Sequence, residues 1–375
     1  MPISHGIQFV AGSATLLPNE KSAAVAVIGT ATVGTNNQLK LITTQQEAKA
    51  TFGSDSASTI PRTLEVLLRY GVNQIVVIKV ADTTDAAILG GVDAITGLRT
   101  GLELLQDSWS QLGVQPRFLL VPGVKSDPVV TRAVQLKEIV GSLPVFNFSP
   151  GESLTAIQTA RGGNTGLGQK SDFLVCYPHL KRASDPSIIE SIASNIVGIM
   201  ATMGSYGRSP SNRLFNGVAG ADVPLLMSYS NEAADTETLN RLGVVTVNRR
   251  ADGFVSWGNR TAAYTIGGNT ELETYIVSSR INDVVKRGLR SIGSQFVDEP
   301  SNYNTVNLIK EAYQRYLSQE AAKRELGVNN ESHFIAAESD FKKGILTFKT
   351  EVEVLLPLEI VRVQTIQTTV NVGGV

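Results

Sequence analysis

A few residue patterns in this chain could support catalysis, and each fails on spacing. Gly163-Asn-Thr-Gly-Leu-Gly-Gln-Lys-Ser171 holds the glycines, lysine and serine of a phosphate-cradling loop. That chemistry needs the lysine directly after the last glycine, in a loop that leaves a strand and opens a helix, so that backbone amides converge on phosphate. Here Gln169 separates Gly168 from Lys170 and the segment precedes a strand-like run, so it reads as a surface loop. Gly151-Glu-Ser-Leu-Thr155 lacks the final glycine of a nucleophile elbow. His5, His179 and His333 are the only histidines, with neither HExxH spacing nor a paired CxxC, so no metal site is expected. Cys176, the single cysteine, lies in the apolar run Phe173–Tyr177, where a buried structural thiol is the expected role. One cysteine allows no disulfide within the chain, as befits a reducing compartment. Asn259-Arg-Thr261 matches a glycosylation triplet that has no meaning without secretion. The reading assigns no catalytic residue, no metal ligand and no cofactor.

The elements that would carry any site read as α/β first. Apolar strand candidates are Ala24–Ile28, Gln74–Val80, Arg117–Val121, Leu143–Phe148 and Asp172–Tyr177. Helical patterns lie between several of them, at Pro61–Tyr70, Leu98–Leu112 and Pro128–Val140, and a fourth follows at Pro186–Met203. In the last, Ile188, Ile189, Ile192, Ile196, Ile199 and Met200 fall at helical spacing and Gly204 is a stop. Strands alternating with helices imply a doubly wound, mainly parallel sheet covered on both faces. This domain is placed at residues 21–250, and the whole chain is α+β.

A second unit begins near Ala251 and is α+β in character. A helix is expected over residues 275–296. Val277, Ile281, Val284, Val285, Leu289, Ile292 and Phe296 share one face, and Arg280, Asp283, Lys286, Arg287, Arg290 and Ser294 the other. A solvated face is the ordinary explanation; a cationic strip that docks on an acidic partner is the functional one. A second helix, Thr305–Leu326, packs Val306, Ile309, Tyr313, Tyr316 and Leu317 and ends at Gly327. Residues 346–356 alternate as a half-buried strand, Pro357 breaks the run, and 359–372 continue with β-branched residues. Such a terminal strand must pair, either within its own domain or by strand addition to another copy. Gly6–Val10 raises the same question.

Composition narrows the function classes. The 33 Lys and Arg nearly balance 34 Asp and Glu, which argues against a general nucleic-acid or anionic-membrane binder. Charged residues are 18%, below the about 25% usual for soluble domains, so partners could cover part of the surface. No secretory leader is legible at Met1–Gly6, and no run approaches the roughly 18 apolar residues of a membrane helix.

The most informative stretch is residues 244–261, Val-Val-Thr-Val-Asn-Arg-Arg-Ala-Asp-Gly-Phe-Val-Ser-Trp-Gly-Asn-Arg-Thr. Val244–Val247 read as a buried strand, Asp252-Gly253 as a hairpin turn, and Phe254, Val255 and Trp257 as a return strand. The string resembles the "RR-DGF-x-FWGNRT" segment of contractile tail sheath proteins, found in contractile-tailed bacteriophages and tail-like bacteriocins. Ala251 departs from it as an extra residue. Val114–Gly123 resembles the family's strand ending in Pro-Gly, Asn216–Gly220 its Asn-Gly-Val-x-Gly turn, His5-Gly6 with Ile7 and Phe9 its amino-terminal arm, and Gly344–Pro357 its carboxy-terminal strands. The matches keep family order across nearly the whole chain.

The resemblance implies a structural subunit and not an enzyme. Its copies would stack as hexameric rings around a tail tube and contract to drive the tube through a target envelope. It implies an amino-terminal arm at 1–20, an outer domain at 21–250, an inner, tube-facing domain at 251–362 and a carboxy-terminal arm at 363–375. Implied partners are other copies of the chain, the tail tube protein, and baseplate and tail terminator proteins, with no nucleic acid and no membrane insertion. The implied location is the tail of a virion or tail-like particle, assembled in the bacterial cytoplasm. Gly6, Ile7, Phe9, Ile366, Thr368, Val370 and Val372 are the expected intersubunit arm residues. Arg280, Lys286, Arg287 and Arg290 are expected to face the tube. Arg249, Arg250, Asp252, Trp257, Asn259 and Arg260 are expected to serve structurally at the domain junction, with Phe254 and Trp257 buried. An enzyme on the same doubly wound fold is the alternative, without a constellation behind it.

Overall fold

The computed structural model describes residues 23–264 and 272–359. The arm residues Gly6, Ile7, Phe9, Ile366, Thr368, Val370 and Val372 lie outside the described residues.

Strands in chain order are β1 (Val25–Gly29), β2 (Leu39–Ile42), β3 (Ile75–Lys79), β4 (Gly91–Val92), β5 (Arg99–Thr100), β6 (Phe118–Leu120), β7 (Leu143–Asn147), β8 (Leu174–Cys176), β9 (His179–Arg182), β10 (Ile189–Ser191), β11 (Val218–Ala221), β12 (Val244–Arg250), β13 (Gly253–Trp257), β14 (Glu331–Phe334) and β15 (Phe348–Glu351). The α-helices are α1 (Gln45–Phe52), α2 (Thr59–Arg69), α3 (Asp85–Leu89), α4 (Ser108–Leu112), α5 (Asp127–Val140), α6 (Leu154–Gly162), α7 (Ile192–Thr202), α8 (Asp235–Arg241), α9 (Ile276–Gly293) and α10 (Tyr303–Ala322). Among them, no helix is long and apolar enough to cross a membrane.

The expected doubly wound sheet is present. Its eight strands run in the order β13-β12-β8-β7-β6-β1-β3-β2, parallel from β12 to β3 and closed at each end by an antiparallel strand. Central strands read as unbroken apolar runs because both faces are covered. Val25, Val27, Val77 and Leu120 point to one core, roofed by α1, α2 and α7. Ala26, Ile28, Val76 and Leu119 point to the other, roofed by α3, α5 and α6. Gly198 of α7 lies where an added Cβ would meet the Tyr70 ring at 2.6 Å, so a glycine is needed for α7 to cross α2 this closely.

Three expected elements differ. Residues 98–112 are not one helix, because Arg99–Thr100 pair with Gly91–Val92 and the chain then forms a 3-10 turn before α4. Gly101, at φ +57°, permits that break. Ile188 and Ile189 precede α7; Ile189–Ser191 instead join a small sheet of order β10-β9-β11. This extended segment aims Glu190 at two guanidiniums: Arg69 at 2.6 Å and Arg182 at 2.6 Å. Between residues 346 and 356 only Phe348–Glu351 form a strand, pairing with β14, which the alternation analysis did not find.

The second unit is a helix pair, α9 on α10, joined by the β14–β15 ribbon. Val277, Ile281, Val284, Val285 and Ile292 meet Tyr316 and Leu317, with Val352 and Val354 at the rim. An added Cβ at Gly288 would lie 2.2 Å from Tyr316, so glycine sets the helix spacing here. α10 stops at Ala322, before the expected Leu326, and Arg324 takes φ +60° in the turn that follows. The boundary also moves. β13 is hydrogen-bonded to β12 within the large sheet, so a division at 251 would cut a hairpin; the chain leaves the sheet after Trp257.

Candidate domain junction and interaction surface

The six residues expected at the junction separate into two groups. Ala251 and Asp252 form the tip of the β12–β13 hairpin, where Arg250 pairs with Gly253. Arg250 clasps the Asp252 carboxylate and donates to Asn212 Oδ1 at 3.2 Å. That contact holds the Asp252 carboxyl below the usual range. Arg249 is exposed and lies 5.2 Å from the Phe254 ring. All of these partners belong to the large domain, so Arg249, Arg250 and Asp252 secure the hairpin tip and not the junction.

Asn259 and Arg260 lie where the chain leaves β13 for α9. The Asn259 carbonyl accepts the Ile276 amide at 2.9 Å, which fixes the first turn of α9. The Arg260 guanidinium stacks 3.7 Å from the Tyr275 ring centre and 4.8 Å from that of Tyr264. It donates to Thr274 Oγ1 at 2.9 Å, Tyr275 Oη at 2.9 Å and Glu359 at 3.0 Å. Arg260 therefore links the end of the sheet, the start of α9 and the chain at Glu359. Trp257 and Phe254 are half-buried and not enclosed. The Trp257 ring meets Tyr229 edge-on at 5.0 Å and donates from Nε1 to Glu237 at 3.1 Å.

The cationic strip of α9 is the main correction. Arg280 is buried and donates to the carbonyls of Met200 at 3.3 Å, Ser205 at 3.2 Å and Arg208 at 3.1 Å. It thus serves the carboxy-terminal end of α7, where a cation complements unpaired carbonyls and the helix dipole. Arg287, half-buried, donates to the Gly141 carbonyl at 3.0 Å, at the carboxy-terminal end of α5. Neither is directed outward with the strip expected from the wheel. Lys286 and Arg290 are exposed, with no hydrogen bond or ion pair among the described residues. Helical periodicity says which residues share a face but not what covers it.

Two further cations complete the junction. Lys137 of α5 is 5% exposed and meets Asp172, Ser279 Oγ at 2.9 Å and Asp283 at 3.4 Å. Burial holds the Asp283 carboxyl above its usual range, with Lys137 pulling it down and Asp172 pushing it up. Arg161 of α6 is 1% exposed and donates to the carbonyls of Leu242 at 2.8 Å, Leu167 at 2.6 Å and Ala262 at 2.9 Å. Burial lowers its pKa to about 10. A lysine inside the otherwise apolar face of the 128–140 helix was a legible signal; Arg161 carried none. Arg161 also explains the glycine-rich loop. Residues 163–165 and Lys170 are exposed, while Gly166–Gly168 are buried under Arg161, and the Gly166 amide donates to Asp127 at 2.8 Å.

The site is a structural joint. It consists of stacked rings and guanidiniums on main-chain carbonyls. No protein-family model matches the chain. A search of curated proteins finds the tail sheath protein of Burkholderia phage BcepMu, 29% identical over 240 residues, 61% of this chain and 50% of that protein. The tail sheath protein of Escherichia phage P2 is 26% identical over 289 residues, 69% of each chain.

The chain is a homologue of tail sheath proteins.

Its fold agrees. The contracted helical sheath of the anti-feeding prophage superposes with a TM-score of 0.69 at 17% identity, covering 98% of this chain and 99% of that one. A crystal structure of a Listeria innocua sheath tail protein gives 0.58 at 11% identity, covering 89% and 95%. The chain spans 50% and 58% of the first two curated sheath relatives it matches.

Proposed function

We propose that this chain is a structural subunit of a contractile tail sheath and works by assembly, without catalysis. The observation that carries this reading is homology to curated tail sheath proteins, together with a likeness to a contractile sheath fold over 98% of the chain. Copies stack as hexameric rings around a tail tube, between baseplate and terminator, in a virion tail or tail-like particle built in the bacterial cytoplasm. A head-to-tail contact that does not close on itself generates such a helix. The extended sheath is a kinetic trap, and repacking toward the contracted state drives the tube.

The β14–β15 ribbon supports arm exchange. Two strands alone are marginal in water, and Phe341, Ile345, Leu355, Leu356 and Leu358 are exposed around this one. Strands from neighbouring copies, supplied by arms 1–20 and 363–375, would complete it by main-chain pairing. Lys286 and Arg290 remain available to face the tube, while Arg280 and Arg287 dock α9 on the large domain. Electron microscopy of the purified full chain tests the assignment. Long tubes are expected, and discrete particles under every assembly condition would sink it.

A further inference from the structure

The sheet reverses direction between β1 and β6, since the chain runs from β1 to β3 on one side and to β6 and β7 on the other. Such reversals leave a crevice at the carboxyl ends of the strands. Here it is a cleft of about 160 Å3 bordered by Pro122 and Gly123 after β6, Asn147 and Phe148 at the end of β7, one flank of α2 and the start of α7. Nothing in the assembly mechanism uses it.

We propose that this cleft binds a small oxyanion, the size of inorganic phosphate or a short carboxylate.

The polar side chains lining it, set among Val66, Pro122, Phe148 and Pro150, are mainly able to donate. Ser194 is 1% exposed, lines the cleft, and its hydroxyl has no hydrogen-bond partner among the described residues. A hydroxyl buried at this cost is satisfied when a ligand arrives. Arg62 reaches only the carbonyls of Ser56 and Ile189 and forms no ion pair with a carboxylate among the described residues. Lys125 supplies a second cation, with Glu152 at 2.6 Å as its counter-ion and Phe148 beneath it at 5.5 Å. His179 adds a neutral donor. The Asn147 side-chain oxygen accepts the Ala193 amide at 3.1 Å, so its nitrogen faces His179 Nδ1 at 3.1 Å and leaves the imidazole proton on Nε2. Burial lowers the His179 pKa to about 4, so this tautomer persists at neutral pH. The cleft has room for a phosphate or an acetate.

Equilibrium dialysis of the full chain against radiolabelled phosphate, and separately acetate, tests this at constant ionic strength in chloride. The readout is the same for monomer and polymer, so it is independent of the assembly assignment. Saturable uptake of one anion per chain is expected, and whichever anion binds identifies the ligand. Arg62→Gln should weaken it by about tenfold, equivalent to about 1.4 kcal/mol. Ser194→Ala should weaken it several-fold while leaving the melting temperature of the anion-free chain unchanged or higher, because the deleted hydroxyl had no partner. If Arg62→Gln fails to fold, Ser194→Ala and Lys125→Gln carry the test. Absence of saturable uptake of either anion overturns the proposal, as does an affinity that none of the folded variants changes.

Discussion

Arg280 and Arg287 lie two helical turns apart on α9, and each donates to the carboxy-terminal end of a different helix of the large domain, Arg280 to the Met200 carbonyl and Arg287 to that of Gly141. Between them Asp283 meets Lys137 at 3.4 Å. One side of α9 is thus a polar clasp, while the side bearing Val277 and Ile281 packs on α10.

Removing the clasp should cost folding stability. Arg280→Ala strands three carbonyls that accept from a buried guanidinium, and the expected loss is about 2–4 kcal/mol. Chemical denaturation of the arm-deleted subunit measures it. A loss under about 0.5 kcal/mol would return Arg280 to the surface.

Lys286→Glu and Arg290→Glu should behave oppositely. Both side chains are exposed, so subunit stability should change by less than about 0.5 kcal/mol, while assembly on the tube declines. Co-sedimentation with purified tube protein reads the second effect. Undiminished assembly of the double variant would remove these residues from the tube contact.

Acid should strengthen the joint at Asp283. An acid whose folded pKa is raised holds its proton more tightly in the folded state. Stability therefore rises as pH falls through the raised value toward 3.8, and is lost as pH climbs through that window. Asp283→Asn should flatten this slope and leave stability at pH 7 equal or greater, since Lys137 keeps Asp172. Urea midpoints from pH 4 to 7 compare the two chains; parallel curves would show that Asp283 does not titrate in this way.

Trp257→Ala should cost less than the roughly 3–5 kcal/mol of an enclosed aromatic, because the ring is half-buried and rests on Tyr229. Thermal unfolding of the arm-deleted subunit decides. A loss at the full value would mean that the ring is closed in by more than these contacts.

Deleting residues 1–17 or 363–375 should leave a folded subunit that forms no cohesive tube. Circular dichroism and negative-stain images together report both halves. Normal contractile sheaths from either truncation would end arm exchange for that terminus.

The strands of the large sheet were legible because burial on both faces leaves unbroken apolar runs, as in Val25–Ile28 and Ile75–Ile78. The hairpin at 244–257 was legible from its turn residues. Ile189–Ser191 was not, because isoleucines at 188, 189 and 192 suit a helix as well as a strand. The choice was made by Glu190, whose partners Arg69 and Arg182 are distant or unmarked in sequence. At the joint, Asn259 and Arg260 stand in a string legible in the sequence, but Arg280 is buried against the end of α7 and not on the outward face the wheel gives it. A helical wheel cannot show that α9 is covered from two sides. Lys137 stands out as a cation on the apolar face of α5, but the cluster it joins is assembled from three segments, and Arg161 acts through backbone carbonyls; no spacing encodes either set of partners.

The strand order also governs how the chain is made. β8 gains its second neighbour only when Val244 and Val245 arrive, after the detour through β9 and β11. A nascent chain emerging from the ribosome must therefore carry an incomplete sheet, with open strand edges and two apolar faces, for some seventy residues of synthesis. Parallel, sequence-distant pairing of this kind is slow and exposes sticky intermediates. The α9–α10 pair, whose clasp needs the ends of α5 and α7 already in place, is translated after both. Translation order thus places the helices that clasp α5 and α7 after the large domain that must support them.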